Sequence, residues 1–222
     1  MSSIIAEKQS MKRFLEAAAK VISLSALVFS TAFGEESAPD ALVRTIAEDV
    51  IAAIKQDAGL TKNPAKVSAL VEAKVLPHFD FARTTRIAMG ANWRRATPEQ
   101  QERLTLEFRT LLVRTYSTAL VNYRDQVIDV KPLRAKPEDV QVTVRSEVRQ
   151  AGTQPLSIDY EMEKTQAGWK IFDIRIAGAS LAVTYRDSFA EVVRNHGVDG
   201  LIEQLSNKNR QGGPQLAGAT RI

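Results

Sequence analysis

Apolar residues recur every three to four positions over residues 41–57, where Val43, Ile46, Val50, Ile51 and Ile54 form one stripe and Gly59 lies just past its end. That spacing predicts a helix. Residues 65–76 predict a second, with Val67, Leu70, Val71 and Val75 on one stripe and Pro77 as its stop. His78-Phe79-Asp80-Phe81 reads as a turn-rich link into a short helix through Met89, with Gly90 as C-cap. Thr97-Pro98-Glu99-Gln100 is a helix start: Thr caps, Pro takes the first turn, and Gln three residues on completes a capping box. The helix it opens runs to about Tyr123. Leu104, Phe108, Leu111, Leu112, Thr115, Ala119 and Leu120 make its apolar face, with Tyr116 and Tyr123 alongside.

From Gln126 the period changes to two. Val140, Val142, Val144 and Val148 alternate with Gln141, Thr143, Arg145, Glu147 and Arg149; Leu156, Ile158, Tyr160 and Met162 alternate with Ser157, Asp159, Glu161 and Glu163. These are antiparallel strands with one covered face and one wet face. Residues 126–131 predict an earlier strand and 169–177 a later one, with Phe172, Ile174 and Ile176 in register; Gly152 and Gly168 fall in the hairpin connections. Residues 183–195 and 199–206 return to helix. Helices, one long helix, strands in series and helices again define an α+β fold in which a curved antiparallel sheet lies against the long helix. Such a half-open cone is either filled by side chains or hollow, and periodicity alone does not decide which.

At 222 residues with 44% hydrophobic and 25% charged positions, the chain has ordinary globular composition. A net charge of +4 spread along the sequence leaves no nucleic-acid footprint. Zero cysteines exclude disulfides, zinc thiolates and Cys nucleophiles; the two histidines, His78 and His196, exclude a His-rich metal site. From Met11, which reads as a possible true start, Lys12 and Arg13 precede the uncharged run Val21–Phe33, and Ala32-Phe33-Gly34 offers small residues for cleavage after Gly34. Residues 1–34 are thus expected to be a secretory signal peptide, 35–206 the functional domain and 207–222 a flexible polar tail containing Gly212-Gly213-Pro214. Removing residues 1–34 takes away four basic and two acidic side chains and lowers the net charge to about +2. No later stretch is apolar enough to span a membrane.

The polar candidates are sparse. Gly178-Ala179-Ser180-Leu181-Ala182 offers G-x-S, but Ala182 stands where a nucleophile elbow needs its second Gly. His78 and Asp80 would make an acid–base pair only if a turn brought them together. Asp159, Glu161 and Glu163 share a strand face that could hold calcium, although the alternation already explains them as a solvated face paired with Arg145 and Arg149. Tyr160, Asp159 and Asp173 could build an isomerase-like site in a cone. Arg94-Arg95 follows Trp93 and reads as a solvated pair beside an inward Trp.

The stretch PHFDFARTTRIAMGANWRRATPEQQERLTLEFRTLLVRTYSTAL, residues 77–120, resembles the toluene-tolerance family of periplasmic proteins, the MlaC-type phospholipid shuttles of the Mla (maintenance of lipid asymmetry) pathway. Pro77, Phe79-Asp80-Phe81, Gly90, Trp93, Thr97-Pro98-x-Gln100, Phe108, Leu111-Leu112 and Tyr116 carry the match. A second block is Gly168-Trp169-Lys170-Ile171-Phe172-Asp173-Ile174, then Gly178-Ala179-Ser180-Leu181, Tyr185-Arg186, Phe189 and Gly197-Val198-Asp199-Gly200-Leu201-Ile202. The similarity spans about residues 41–208. Ala179 departs from it, since a larger Val is common there, and this could reshape a cavity mouth.

The resemblance implies an NTF2-like α+β fold enclosing a deep apolar pocket. It implies a periplasmic, monomeric, non-enzymatic carrier that holds a glycerophospholipid, tails inside and headgroup outside. It also implies exchange with an outer-membrane lipoprotein–porin complex and an inner-membrane ABC transporter, with no cofactor beyond the lipid cargo. Inward parity then assigns the pocket lining to Phe108, Leu112 and Tyr116 on the long helix and to Val142, Val144, Leu156, Ile158, Tyr160, Phe172 and Ile174 on the strands, with Ala179 at the rim. The competing classes are an NTF2-like enzyme acting on a small apolar substrate, which needs a converging acid and base, and a structural module with a filled core.

Overall fold

The structure is a computed structural model that describes residues 38–121, 126–136 and 138–211. The expected signal peptide lies outside the described residues, as does most of the expected tail.

Helix α1 (Pro39–Gln56) opens on Pro39 with Asp40 in its first turn and closes with Lys55 in its last, both favourable for the helix dipole. Helix α2 (Pro64–Lys74) is capped by Asn63, whose Oδ1 accepts from the Ala65 and Lys66 amides. A 3-10 turn, Leu76–His78, leads to α3 (Phe81–Met89), capped by Asp80 through the Arg83 amide. Helix α4 (Pro98–Val121) carries the predicted box: the Gln100 amide donates to Thr97 Oγ1 (3.3 Å) and the Thr97 amide to Gln100 Oε1 (3.0 Å).

Strands β1 (Val127–Val130), β2 (Gln141–Arg149), β3 (Leu156–Thr165), β4 (Gly168–Ile176) and β5 (Ala179–Ser180) form one antiparallel sheet in sequence order. Helix α5 (Leu181–Thr184) and the long α6 (Arg186–Arg210) follow. Gly197, at φ 72° and ψ −177°, kinks α6 between the two helices expected there; only glycine adopts that conformation without strain. The α+β class holds. Helix α6 runs four residues into the segment expected to be a tail, carried by Asn209, whose Nδ2 donates to the Glu107 carbonyl (2.9 Å).

Three apolar clusters hold these elements. Leu104 and Phe108 of α4 pack against Phe189, Leu201, Ile202 and Leu205 of α6, with Phe108 edge-on to Tyr185 and Phe189 at 5.0 and 5.1 Å. Trp93 joins this cluster while Arg94 and Arg95 are exposed, as expected. Val43 of α1 lies on the inner sheet face with Val130, Val144, Met162, Trp169 and Ile171. Val50 and Ile54 meet Leu60 and Val67 between α1 and α2.

Strand β4 corrects the expected register. Glu161 pairs with Asp173, but Met162 pairs with Ile171, so Phe172 is an extra residue in a β-bulge. Trp169 and Ile171 take the inward positions ahead of the bulge and Ile174 the next one beyond it. Phe172 instead lies under Arg83, whose guanidinium sits 3.8 Å from the ring centroid and also pairs with Glu163. Glu161 pairs with Arg175 (3.1 Å) and accepts from Thr143, while Arg149 joins Glu147 and Asp129. The carboxylate-rich face is therefore salt-bridged as expected, but through Arg83 and Arg175, because bulge and register bring those cations opposite. Among the described residues no group of acidic or histidine side chains is arranged to hold a metal ion.

Candidate functional site

The bulge also anchors the connection between α2 and α3. The Asp80 amide donates to the Ile171 carbonyl (2.8 Å), and Thr84 Oγ1 lies 2.8 Å from the Phe172 carbonyl. These bonds hold α3 against β4 but leave the side chains of Phe79 and Phe81, stacked with centroids 5.4 Å apart, beside an open space. That space is a cavity of about 220 Å³. Val71, Val75 and Leu76 wall it from α2 and the turn beyond; Leu112, Val113, Tyr116 and Ser117 from α4; Asp173 and Ile174 from β4; Leu181 from α5; and Thr84 lies beside Phe81.

Leu112, Tyr116 and Ile174, expected to line a cavity, do border it. Phe108 does not; one turn before Leu112 on the same stripe, it is fully buried in the α4–α6 cluster. Val142, Val144 and Tyr160 have the expected inward parity but meet α1, which covers that half of the sheet. Phe172 has turned away at the bulge. Leu156 is 39% exposed, and Ile158, opposite Ile176, lies between it and Tyr160 on the same face. Ala179 is exposed and pairs with Ile176, which puts it on the inward face just beyond Ile174, next to Leu181. The lining from Val71 to Phe81 was not anticipated. Its signals were visible, a valine stripe on a short helix and the Phe79/Phe81 pair, but a short apolar stripe reads first as core.

The polar groups weighed as catalytic do not converge. Asp173 Oδ1 accepts from the Ile174 (2.9 Å) and Ala182 (3.1 Å) amides, and Oδ2 accepts from the Ser180 hydroxyl. Ser180 Oγ in turn accepts from the Val183 amide, capping α5. Asp159 and Tyr160 are neighbours on β3 and so lie on opposite faces. Burial lowers the His78 pKa, with Lys170 adding to the effect, and the Asp80 carboxylate is occupied at the α3 cap.

Burial pushes the Tyr116 phenol up to about 12, and the hydroxyl it shares a hydrogen bond with, that of Tyr185, adds to the rise. Burial raises Tyr185 and Tyr160 as well. Unfolded tyrosines ionise near pH 10. Between about pH 10 and 12 the unfolded chain therefore sheds phenolic protons that the folded chain keeps, and stability that is complete below pH 10 drains away as pH rises. Phenolate absorbance is expected to appear at higher pH in native protein than in the urea-unfolded chain; superimposable titration curves would contradict the buried phenols.

An open antiparallel sheet flanked by helices, with an almost wholly apolar cavity and, among the described residues, no assembled polar site, defines a binding domain for an apolar ligand. A family model described as MlaC protein matches residues 44–207, and the chain belongs to that family. It is 24% identical to the intermembrane phospholipid transport system binding protein MlaC of Haemophilus influenzae over 189 residues, 83% of this chain and 88% of the relative. It is 29% identical to the toluene tolerance protein ttg2D of Pseudomonas putida over 106 residues, 48% of this chain and 49% of the relative. Among solved structures, a phospholipid-binding protein from Ralstonia solanacearum in complex with a phospholipid is 46% identical and aligns with a TM-score of 0.71, covering 78% of this chain and 97% of that one.

Proposed function

We propose that the protein is a periplasmic phospholipid carrier of the Mla pathway, which houses acyl chains in the cavity between α2, α3, α4 and β4. The observation that carries this reading is the cavity itself, apolar over nearly all its wall, in a chain 46% identical to a protein solved with a phospholipid. Each buried methylene contributes about 0.8 kcal/mol, so two tails with on the order of 30 methylenes would cost roughly 20 kcal/mol or more to release into water. Spontaneous escape is then negligible, and unloading requires docking on a partner that offers another apolar path. The relatives' transport system supports an inner-membrane transporter and an outer-membrane complex as those partners. The reading contains no catalytic step: Asp173, Ser180 and Asp80 are each committed to holding backbone. Among the described residues no helix is long and apolar enough to cross a membrane, which suits a carrier moving between two of them.

The test is organic extraction and mass spectrometry of protein purified from the periplasm without detergent. One two-tailed phospholipid per chain is expected. Protein that arrives free of lipid and stays free after incubation with phospholipid vesicles would overturn the reading.

A further inference from the structure

Between Phe81 and Thr97 the chain carries four arginines, Arg83, Arg86, Arg94 and Arg95, and no acidic residue. Arg83 is neutralised by Glu163. Arg86 on the same helix is exposed, as are Arg94 and Arg95 at the end of the 3-10 helix Gly90–Arg95. Arg186 joins them from α6. Its guanidinium donates through Nε (3.2 Å) and Nη2 (3.0 Å) to the Ile87 carbonyl near the end of α3, and its side chain lies 3.6 Å from where a Cβ on Gly90 would stand. A 3-10 helix rises about 2 Å per residue, so Arg94 and Arg95 leave the backbone roughly 8–10 Å beyond Gly90. Among the described residues, Arg86, Arg94, Arg95 and Arg186 make no ion pair, and Arg95 reaches only the Asn92 side-chain oxygen, at 3.4 Å. The flanking carboxylates do not neutralise them: Asp80 caps α3, and the Glu99 carboxylate is held by its own amide and by Thr97. A protein surface ordinarily intersperses both signs of charge, and a concentration of one sign attracts a partner of the other.

We infer that the face built from Arg86, Arg94, Arg95 and Arg186 is an electrostatic docking surface for a bilayer rich in anionic phospholipid. The chemistry favours a bilayer over an acidic protein. A protein interface is centred on apolar or aromatic anchors. Among the described residues the exposed large apolar side chains are Leu106, Val127, Val140, Leu156 and Val183, none of them on α3 or the 3-10 helix, and Trp93 packs into the α4–α6 cluster. Attraction to anionic headgroups needs no such anchor and grows by about fivefold in affinity for each cation near the surface. Helix α3 also carries Phe81 on the cavity wall, so docking by this face brings that wall toward the bilayer.

The experiment takes lipid-loaded protein purified from the periplasm and measures its co-sedimentation with vesicles of phosphatidylcholine alone or of equal parts phosphatidylcholine and phosphatidylglycerol. Wild-type protein is expected to bind the mixed vesicles at low salt, half of it at roughly millimolar accessible lipid. It is expected to ignore the neutral vesicles, and to leave the mixed ones at about 0.5 M NaCl. The triple variant Arg86→Gln, Arg94→Gln, Arg95→Gln is expected to bind at least about thirtyfold more weakly. A comparison variant with the same net charge, Lys55→Gln, Arg145→Gln, Lys208→Gln, removes three exposed cations elsewhere and is expected to bind like wild type. No binding by the wild type, binding that survives salt, or equal loss in the two triple variants overturns the inference. Wild-type protein that ignores anionic vesicles but binds polyglutamate at low salt also overturns it and assigns the face to an acidic protein. The carrier reading goes with none of these outcomes, because it stands on the lipid extracted from the same samples.

Discussion

Ala179→Glu is expected to empty the cavity while leaving the fold intact. Ala179 is exposed in β5, on the same sheet face as Ile174 and beside Leu181, both of which border the cavity. A carboxylate at this position reaches water in the lipid-free protein, so it adds no buried charge. An acyl chain passing the same lip would strip that water away, at a cost of several kcal/mol. Every 1.4 kcal/mol is a tenfold change in affinity, so in competition with phospholipid vesicles, where the tails have another apolar home, the variant's share of lipid should fall at least about a hundredfold. Leu181→Glu, on the wall itself, should do the same. The comparison variant is Leu106→Glu. Leu106 is 53% exposed on α4 and does not border the cavity, so its lipid load should be unchanged. All three should melt within a few degrees of wild type. If Ala179→Glu and Leu181→Glu retain full lipid, the acyl chains lie elsewhere and the cavity between α2, α3, α4 and β4 is not the binding site.

What could be read from the chain beforehand was whatever its local chemistry determines. The Thr97–Gln100 box forms as expected because its two bonds join residues three apart. The change from period 3.6 to period 2 places helices and strands correctly because each repeats over a whole element. The cavity was legible only in part, for two physical reasons. Phe108 and Leu112 lie on one stripe, and nothing in that stripe says that α6 covers the first while the second faces open space. Val144 and Ile174 share inward parity and pack in one cluster with Val43 of α1, yet Val144 is wholly buried there while Ile174 also borders the cavity. The bulge at Phe172 leaves no mark in the alternation. Counting by twos continues through an extra residue without notice, and the positions before it change face.

The same bulge makes Asp173 the residue whose loss should cost the most stability. Asp173 is 6% exposed, and its carboxyl accepts three hydrogen bonds, two of which, from the Ser180 hydroxyl and the Ala182 amide, fasten the start of α5 to β4. Asp173→Ala strands the Ile174 and Ala182 amides and the Ser180 hydroxyl, and each buried donor left without an acceptor costs about 1–3 kcal/mol. After partial relaxation a total of roughly 3–5 kcal/mol is expected, which for a domain of this size lowers the melting temperature by about 10–15 °C. Asp173→Asn keeps one acceptor oxygen for the amides, and the Ser180 hydroxyl can reverse to accept from the new amide, so its cost should be less than half as large. Ser180→Ala removes one cap and should cost about 1 kcal/mol. In the Asp173→Ala background it should cost less, because its partner is already gone. Helix α5 carries Leu181 into the cavity wall, so the Asp173→Ala protein that does fold should also lose bound lipid faster on dilution. Melting curves of the two single variants and the double variant, with lipid retention measured on the same samples, test the whole chain of contacts. An Asp173→Ala protein that melts within a degree or two of wild type would mean that α5 is held by its apolar packing alone.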